Sequence, residues 1–342
     1  MNDPALDALL LPFNDGTLPP PRDAAFLGAR DGAALRRWLG GGIACEQEFR
    51  PAADALQQAG IDVVPGELQP PAQFATVLVL PPRQREQARA LLARAIRLAS
   101  PGGRVVACSA NTAGARSMQD DLAALAGEVG VTSKHKCRVV WTAPLPSITP
   151  GGVLDAWSGL DAARPILDGR YLSRPGLFAW DRIDPASALL VANLPADLTG
   201  HAADFGAGWG YLASELAARA PGIQAIDTFE AQARAIPVLQ ANLATIASRM
   251  PVRIEWADVT RGMDRSYDVI VSNPPFHADD RADRPELGQR FIDVAATSLR
   301  PGGRFWMVAN RHLPYEATLQ SRFKSVRVVA AARGFKVFEA LK

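Results

Sequence analysis

His201-Ala202-Ala203-Asp204-Phe205-Gly206-Ala207-Gly208-Trp209-Gly210, followed at once by Tyr211-Leu212-Ala213-Ser214-Glu215-Leu216-Ala217, reads as a strand, a glycine-rich turn and a helix. The strand ends near Asp204. Glycines at 206, 208 and 210 let the backbone turn sharply and come close to a ligand, and the helix N-terminus adds unpaired amides. Gln224-Ala225-Ile226-Asp227 reads as a second strand ending in a carboxylate, and a third leads into Glu255-Trp256-Ala257-Asp258. Strand, turn, helix and strand in this order make a parallel crossover and an α/β fold. Ligands of such sheets bind at the carboxyl ends of the strands.

A second stretch sits at such an end. Residues 267–271 form a buried-strand pattern that runs into Ser272-Asn273-Pro274-Pro275-Phe276-His277. Proline fixes φ and removes a donor, so Pro274 and Pro275 stiffen the segment. Asn273 brings an amide oxygen, Pro274 a backbone carbonyl and Phe276 a flat apolar face. Two acceptors beside a stacking surface suit a planar group that carries an –NH2.

The order of elements repeats. Residues 75–80 read as a strand ending in Pro81-Pro82, 84–98 as a helix, Pro101-Gly102-Gly103-Arg104 as a turn and 104–108 as a strand. Residues 267–271, 287–299, Pro301-Gly302-Gly303-Arg304 and 305–310 give the same series. This is an internal duplication of one α/β domain. The copies differ where chemistry would sit: Leu80 replaces Asn273, Arg83 replaces Phe276, and the first half shows no counterpart of the glycine-rich loop. The first domain is expected over 1–150 and the second over 165–342, with a Pro-, Gly- and Ser-rich linker at about 142–165. A hairpin is expected over 164–180, with a turn at Leu167-Asp168-Gly169-Arg170. A helix is expected over 185–193, with Asp184 as its cap and Pro185 at its first position.

Composition narrows the classes. A chain of 342 residues holds ample material for two cores. No apolar run approaches a membrane span of about 18 residues, and the N-terminus lacks the features of a signal peptide. Cys45, Cys108 and Cys137 form no CxxC, and the four histidines form no HxxxH. No metal site is expected, and the cysteine usage fits a reducing cytoplasm. Net charge is +2, so gross charge does not announce nucleic acid. Residues 300–342 nevertheless hold nine Lys and Arg against two acids, an excess able to track phosphates. Arg83, Arg85, Arg89, Arg94 and Arg97 form no clean stripe.

The glycines follow G-x-G-x-G, preceded by an acid, rather than the G-x-G-x-x-G of a dinucleotide site. Asp204 would sit poorly beside a pyrophosphate and well beside the ammonium of an amino-acid cofactor, which favours S-adenosylmethionine over NAD. Asp227 is placed to accept from two ribose hydroxyls. Asp258 suits either an adenine amino group or a helix cap.

These residues resemble a class I S-adenosylmethionine-dependent methyltransferase of the amino-methylating kind, carried by Asp204-x-Gly206-x-Gly208-x-Gly210, Asp227 and Asn273-Pro274-Pro275-Phe276. More narrowly, the chain resembles the bacterial ribosomal RNA guanine-N2 methyltransferases, the small-subunit methyltransferase C type and its large-subunit relatives. Ser272 to His277, Val308-Ala309-Asn310-Arg311-His312-Leu313-Pro314-Tyr315, Gly334-Phe335-Lys336-Val337-Phe338 and Pro175-Gly176-Leu177-Phe178 match that group, as does Asn111-Thr112-Ala113-Gly114-Ala115-Arg116-Ser117 in the first half. The resemblance implies two tandem Rossmann-like methyltransferase domains, the N-terminal one degenerate and either RNA-binding or supporting. It implies S-adenosyl-L-methionine as cofactor and ribosomal RNA or a ribosomal subunit as partner. It implies Asp204, Gly206, Gly208 and Gly210 around the methionine part, Asp227 at the ribose and Asp258 at the adenine. Asn273 and Pro274 would hold the substrate amine and Phe276 would stack on its ring, Pro275 belonging to the same catalytic segment. His277 is expected to be structural or to touch substrate. An adenine or protein-glutamine amino-methyltransferase, and a non-catalytic RNA-binding or assembly factor, are the competing readings.

Overall fold

The computed structural model of the chain describes residues 3–64, 66–70, 73–147, 151–275 and 285–342. It forms two compact α/β units, Met1–Ala162 and Ala163–Lys342. In chain order the first holds α1 (Pro4–Leu9), α2 (Leu11–Asn14), β1 (Ala24–Leu27), α3 (Ala33–Arg36), β2 (Ile43–Glu46), α4 (Arg50–Gln58), β3 (Phe74–Val79), α5 (Arg85–Leu98), β4 (Ala99–Ala110), α6 (Ala115–Ala126), β5 (Val129–Lys134), β6 (Cys137–Thr142) and α7 (Val153–Ser158). The second holds β7 (Arg164–Ile166), β8 (Tyr171–Ser173), α8 (Pro185–Asn193), β9 (Thr199–Phe205), α9 (Tyr211–Arg219), β10 (Gly222–Glu230), α10 (Ile236–Ala247) and β11 (Val252–Trp256). It continues with β12 (Tyr267–Ser272), α11 (Pro285–Ser298), β13 (Leu299–Asn310), α12 (Tyr315–Arg322), β14 (Ser325–Ala332) and β15 (Phe335–Leu341).

The duplication is visible in the sheets. The first runs β2-β1-β3-β4-β6-β5 and the second β11-β10-β9-β12-β13-β15-β14. Apart from β11 the orders superimpose, and in both the penultimate strand, β6 or β15, runs antiparallel to its two neighbours while the edge strand returns to the common direction. Where β11 would lie in the first unit, a single parallel bridge joins Cys45 to Val63. Both 12-residue strands, β4 and β13, break register with their neighbour at the same place, from Phe74↔Ala99 to Thr76↔Arg104 and from Tyr267↔Leu299 to Val269↔Arg304. The Pro-Gly-Gly turn read from sequence is this excursion inside one strand. A Cβ on Gly103 would stand 2.8 Å from the Ser100 carbonyl, and one on Gly303 2.9 Å from the Arg300 carbonyl.

Alternation along the central strands divides the second unit's core between two faces. Ile270, Phe205, Phe305 and Met307 pack with Phe291 and Ile292 of α11 on one side. Val269, Val271, Trp306 and Val308 pack with Leu190, Leu212 and Leu216 on the other. Burial on both faces explains why these strands read as continuous apolar runs.

Three regions differ from the sequence reading. The opening residues, for which the sequence suggests no helix, contain α1 and α2, and Leu6, Leu9 and the intervening Leu10 are fully buried. The stretch read as linker contains α7, which buries Leu154 and sets the Trp157 ring 4.5 Å from the Arg89 guanidinium carbon. These contacts carry the first unit to Ala162, past the expected boundary. The first half also keeps the start of the glycine turn: Leu27-Gly28-Ala29 corresponds to Phe205-Gly206-Ala207, and both glycines have positive φ (+73 and +79). The hairpin over 164–180 is present but short, pairing Arg164–Ile166 with Tyr171–Ser173.

The basic excess over 300–342 is largely spent within the second unit. Arg300 pairs with Asp268, Arg304 with Asp197 and Glu339, Arg322 with Asp293, Arg327 with Glu339 and Lys336 with Glu316. Among the described residues no helix is long and apolar enough to cross a membrane, and no cluster of His, Cys, Asp and Glu could hold a metal ion.

Candidate active site

The carboxyl ends of β9, β10, β11 and β12 meet in the second unit. Asp204, one residue before the end of β9, is fully buried. Its Oδ2 accepts from the Ala213 amide at 3.0 Å in the first turn of α9, and its Oδ1 has no partner among the described residues. Burial, reinforced by the charge of Glu230, lifts the Asp204 carboxyl to about 7 against the pull of the Ala213 amide. A buried carboxylate oxygen without a donor is costly, and it marks where a cationic or N–H group would be held.

Gly206, Gly208 and Gly210 all have positive φ (+79, +55 and +96). At Gly206 and Gly208 the backbone conformation is the requirement, since a Cβ would meet little. At Gly210 packing adds to it, because a Cβ would lie 2.7 Å from Leu239 Cδ1 on α10. Trp209 turns away from the loop mouth into a buried cluster with Tyr171 and Tyr211, at ring distances of 5.0 and 5.6 Å. Asn242 fastens this arrangement. Its Nδ2 donates to the carbonyls of Trp209 (2.7 Å) and Leu172 (2.8 Å), and its Oδ1 accepts from the Leu172 amide (2.7 Å). The β7–β8 hairpin thereby braces the glycine loop, and Trp209, which has no place in the motif, is the brace.

The acid at the end of β10 is Glu230, three residues beyond Asp227. Its Oε2 accepts from the Gly208 amide at 2.7 Å and its Oε1 from the Gln232 amide at 2.8 Å. Its carbonyl accepts from the Ala257 amide at 2.9 Å, which joins the β11 loop to the site. Burial raises the Glu230 carboxyl above its ordinary value. Asp227 is elsewhere. It pairs across the sheet with Ala203 and Arg253, below the loop, and is buried beneath Tyr267 Oη (3.0 Å) and His201 Nε2 (3.1 Å), with Arg265 at 3.6 Å. The structure therefore does not bring Asp227 to the glycine loop. The sequence reading places the end of β10 at Asp227, whereas Thr228 and Phe229, both β-favouring, continue the strand to a second acid, Glu230, at its end. Asp258 caps the turn after β11, its Oδ1 accepting from the Thr260 amide (2.9 Å) and hydroxyl (2.7 Å).

At the end of β12 the Ser272 hydroxyl donates to the Phe205 carbonyl at 2.7 Å, holding this strand end against the glycine turn. Asn273 is half-buried, Pro274 buried and Pro275 exposed. Asn273 Nδ2 donates to Asp184 Oδ2 and Ser187 Oγ, both at 2.9 Å. With its N–H groups committed to α8, the amide presents Oδ1 as an acceptor. Phe276 and His277 lie outside the described residues. The cradle thus offers a carboxylate for a cation, a second carboxylate beside a backbone turn and an amide oxygen at the neighbouring strand end.

Residues 168–339, half of the chain, match the family described as the methyltransferase small domain. The chain belongs to this family. Relatives in it include the ribosomal RNA small subunit methyltransferases C of Shewanella loihica, 30% identical over 78% of this chain and 76% of theirs, and of Pseudomonas aeruginosa, 30% identical over 79% and 80%. Among solved structures, the T. thermophilus 16S rRNA N2 methyltransferase RsmC, in complex with AdoMet and guanosine, is similar over all of this chain and 92% of that one, with a TM-score of 0.82 and 26% identity. The family model lies within the second unit, while the likeness to the RsmC structure extends through both units.

Proposed function

We propose that this chain is an S-adenosylmethionine-dependent methyltransferase acting on the 2-amino group of a guanine in 16S ribosomal RNA. The observation that carries the reading is the oriented amide of Asn273, an acceptor beside a cradle with an unpartnered buried carboxylate. The RsmC structure with AdoMet and guanosine supports it by its overall likeness.

The donors and acceptors suit S-adenosylmethionine, which supplies an electrophilic methyl group. Asp204 Oδ1 accepts from its ammonium, the turn of Gly206 to Gly210 lies against the methionine part and Glu230, in place of Asp227, accepts from the ribose hydroxyls. Asp258 serves the adenine with the oxygen not engaged in capping. The guanine amino lone pair is delocalised into the ring, so the amine is a weak nucleophile. Asn273 Oδ1 and the Pro274 carbonyl each accept one amine hydrogen, which aims the lone pair and stabilises positive charge as it develops on nitrogen. The base must leave its helix to be reached, and Phe276, outside the described residues, is the side chain that the sequence offers to stack on it. The first unit holds Phe26 where the second has Asp204 and Leu80 where it has Asn273. It is the duplicate that lost transfer chemistry, and it serves as an RNA-binding or supporting domain.

The test is transfer of labelled methyl to 16S RNA, 30S and 50S particles from cells lacking this protein, with the product nucleoside read by mass spectrometry. Methyl on guanine N2 of the small-subunit RNA is expected. Methyl on adenine or on protein, or none on any substrate, overturns the reading. A second expectation concerns the ribose acid. Glu230→Gln should weaken S-adenosylmethionine binding about 10- to 100-fold, the scale of a charged hydrogen bond, whereas Asp227→Asn should leave it within a few-fold and lower the melting temperature instead. Calorimetry on the two variants decides, and the opposite pattern would return the role to Asp227.

A further inference from the structure

Asn273 cannot choose which way its amide faces. Both hydrogens of Nδ2 are accepted from the first turn of α8, by Asp184 Oδ2 and Ser187 Oγ. The same Asp184 oxygen accepts from the Ser187 amide at 2.8 Å, so one carboxylate atom caps the helix and holds the side chain. Asp184 is polar, partly buried and charged, which makes its bond to Asn273 the stronger of the two.

We propose that Asp184 and Ser187 are positioning residues for methyl transfer: they fix the Asn273 amide with its oxygen toward the substrate. This rests on the role given above to Asn273. An incoming amine donates two hydrogens. A flipped amide would oppose them with its own N–H groups, donor against donor, and would place partial positive charge where the reaction develops it. An amide held from one side by two acceptors does not flip.

The first unit shows that the capping part of this arrangement does not require the amide. Asp3-Pro4-Ala5-Leu6 opens α1 as Asp184-Pro185-Ala186-Ser187 opens α8, and α1 packs on β4 as α8 packs on β13. Asp3 still caps its helix, accepting from the Leu6 amide at 3.1 Å. Leu6 stands where the second unit has Ser187 and Leu80 where it has Asn273, and both are buried in one apolar cluster. Asp3 Oδ2, with no amide to hold, meets Arg30 at 3.3 Å instead. Capping persists in both copies, while the hydroxyl and the amide are lost together. That is the pattern expected if Ser187 serves Asn273 rather than the helix.

Asp184→Ser separates the two duties, because serine also caps helices but is too short to reach Asn273. Asp184→Asn keeps an oxygen of the same reach. The readouts are the single-turnover rate at saturating RNA and cofactor, the KM for RNA, cofactor affinity and the melting temperature. Asp184→Ser and Ser187→Ala should lower the rate, the former about 10- to 100-fold, with KM and cofactor affinity within about threefold. Asp184→Asn should recover most of the loss. In an Asn273→Ala background Asp184→Ser should cost nothing further, since nothing is left to orient. A full wild-type rate in both Asp184→Ser and Ser187→Ala overturns the proposal, as does an equal loss with and without Asn273. If Asp184→Ser fails to fold, Ser187→Ala in the two backgrounds gives the same decision. A normal rate for Asn273→Ala, by contrast, removes the role of Asn273 itself and this proposal with it.

Discussion

Asn273→Ala should lower the single-turnover methyl-transfer rate by about 10²–10³-fold, the usual effect of removing one group that stabilises developing charge, while S-adenosylmethionine still binds within a few-fold of wild type. The separation follows from the geometry. Asn273 lies at the end of β12, whereas Asp204 and Glu230, the carboxylates proposed to hold the cofactor, lie at the ends of β9 and β10. The substitution removes the amide from its two partners on α8 without touching either carboxylate. Its structural effect is limited, because the side chain is only half-buried and Asp184 keeps its bond to the Ser187 amide. The expected change in melting temperature is therefore small against the change in rate. Asn273→Asp makes a sharper point. It keeps an acceptor of the same size but sets a carboxyl beside Asp184 Oδ2, in place of an amide that donates to it at 2.9 Å. Two carboxylates at that distance do not both ionise, so one takes up a proton. Asn273→Asp should be slow at neutral pH and change rate with pH where wild type does not. Rapid-quench measurements across pH decide between this and a merely steric role; an Asn273→Ala enzyme at wild-type rate would dismiss the residue from the chemistry.

How far such roles could be read from the chain depends on whether their cause is local. The glycine turn was legible because positive φ at alternating positions leaves a mark on the sequence itself. Asn273-Pro274-Pro275 was legible for a similar reason, since stiffness and a strand end are written in adjacent residues. The duplicated fold emerged from the order of elements, and the sheet registers put Leu80 opposite Asn273's place, as the sequence comparison had it. Asp227 misled because an acid at a strand end and an acid inside a strand look alike until the strand's length is known. Three more residues with strand character lead to Glu230, and only the pairing of Phe229 with Phe205 fixes where the sheet edge lies. Trp209 and Asn242 could not be read at all. Their contacts join Leu172 to a helix 70 residues later, and no local pattern carries that separation. The ion pairs of the basic tail were hidden for the opposite reason. Its charges are plain in the sequence, but their partners, such as Asp268 for Arg300, come from other elements. The repeat of Asp-Pro-Ala at 3–5 and 184–186 was present throughout, hidden by the apparent looseness of the first residues.

Binding of S-adenosylmethionine should expel a proton near pH 6 and tighten as the pH rises toward 7, and Asp204→Asn should abolish both effects. Asp204 ionises at its ordinary value of 3.8 in the unfolded chain and at about 7 in the fold, where burial opposes its charge. Below 3.8 both states are protonated and the group costs nothing. Between 3.8 and 7 the unfolded chain is ionised while the folded one keeps its proton, so the stability of the ligand-free protein falls as pH rises through this window. Above 7 the cost is complete, on the order of 4 kcal/mol. Glu230, also raised by burial, acts in the same direction. An ammonium donating to Asp204 Oδ1 favours the ionised carboxylate and reverses the effect, so below pH 7 the ligand must displace the proton. Affinity then rises up to about tenfold per pH unit until the carboxyl is ionised, and falls again above about pH 8 as the ligand's own α-amino group loses its charge. Calorimetry in buffers of different ionisation enthalpy counts the protons directly. S-adenosylhomocysteine, which keeps the ammonium, should behave as the cofactor does, and methylthioadenosine, which lacks it, should bind without proton release. Equal proton release from both ligands would place the linked group elsewhere, with Glu230 the next to test; a flat profile for both would mean that Asp204 is already ionised and takes its partner from the protein alone.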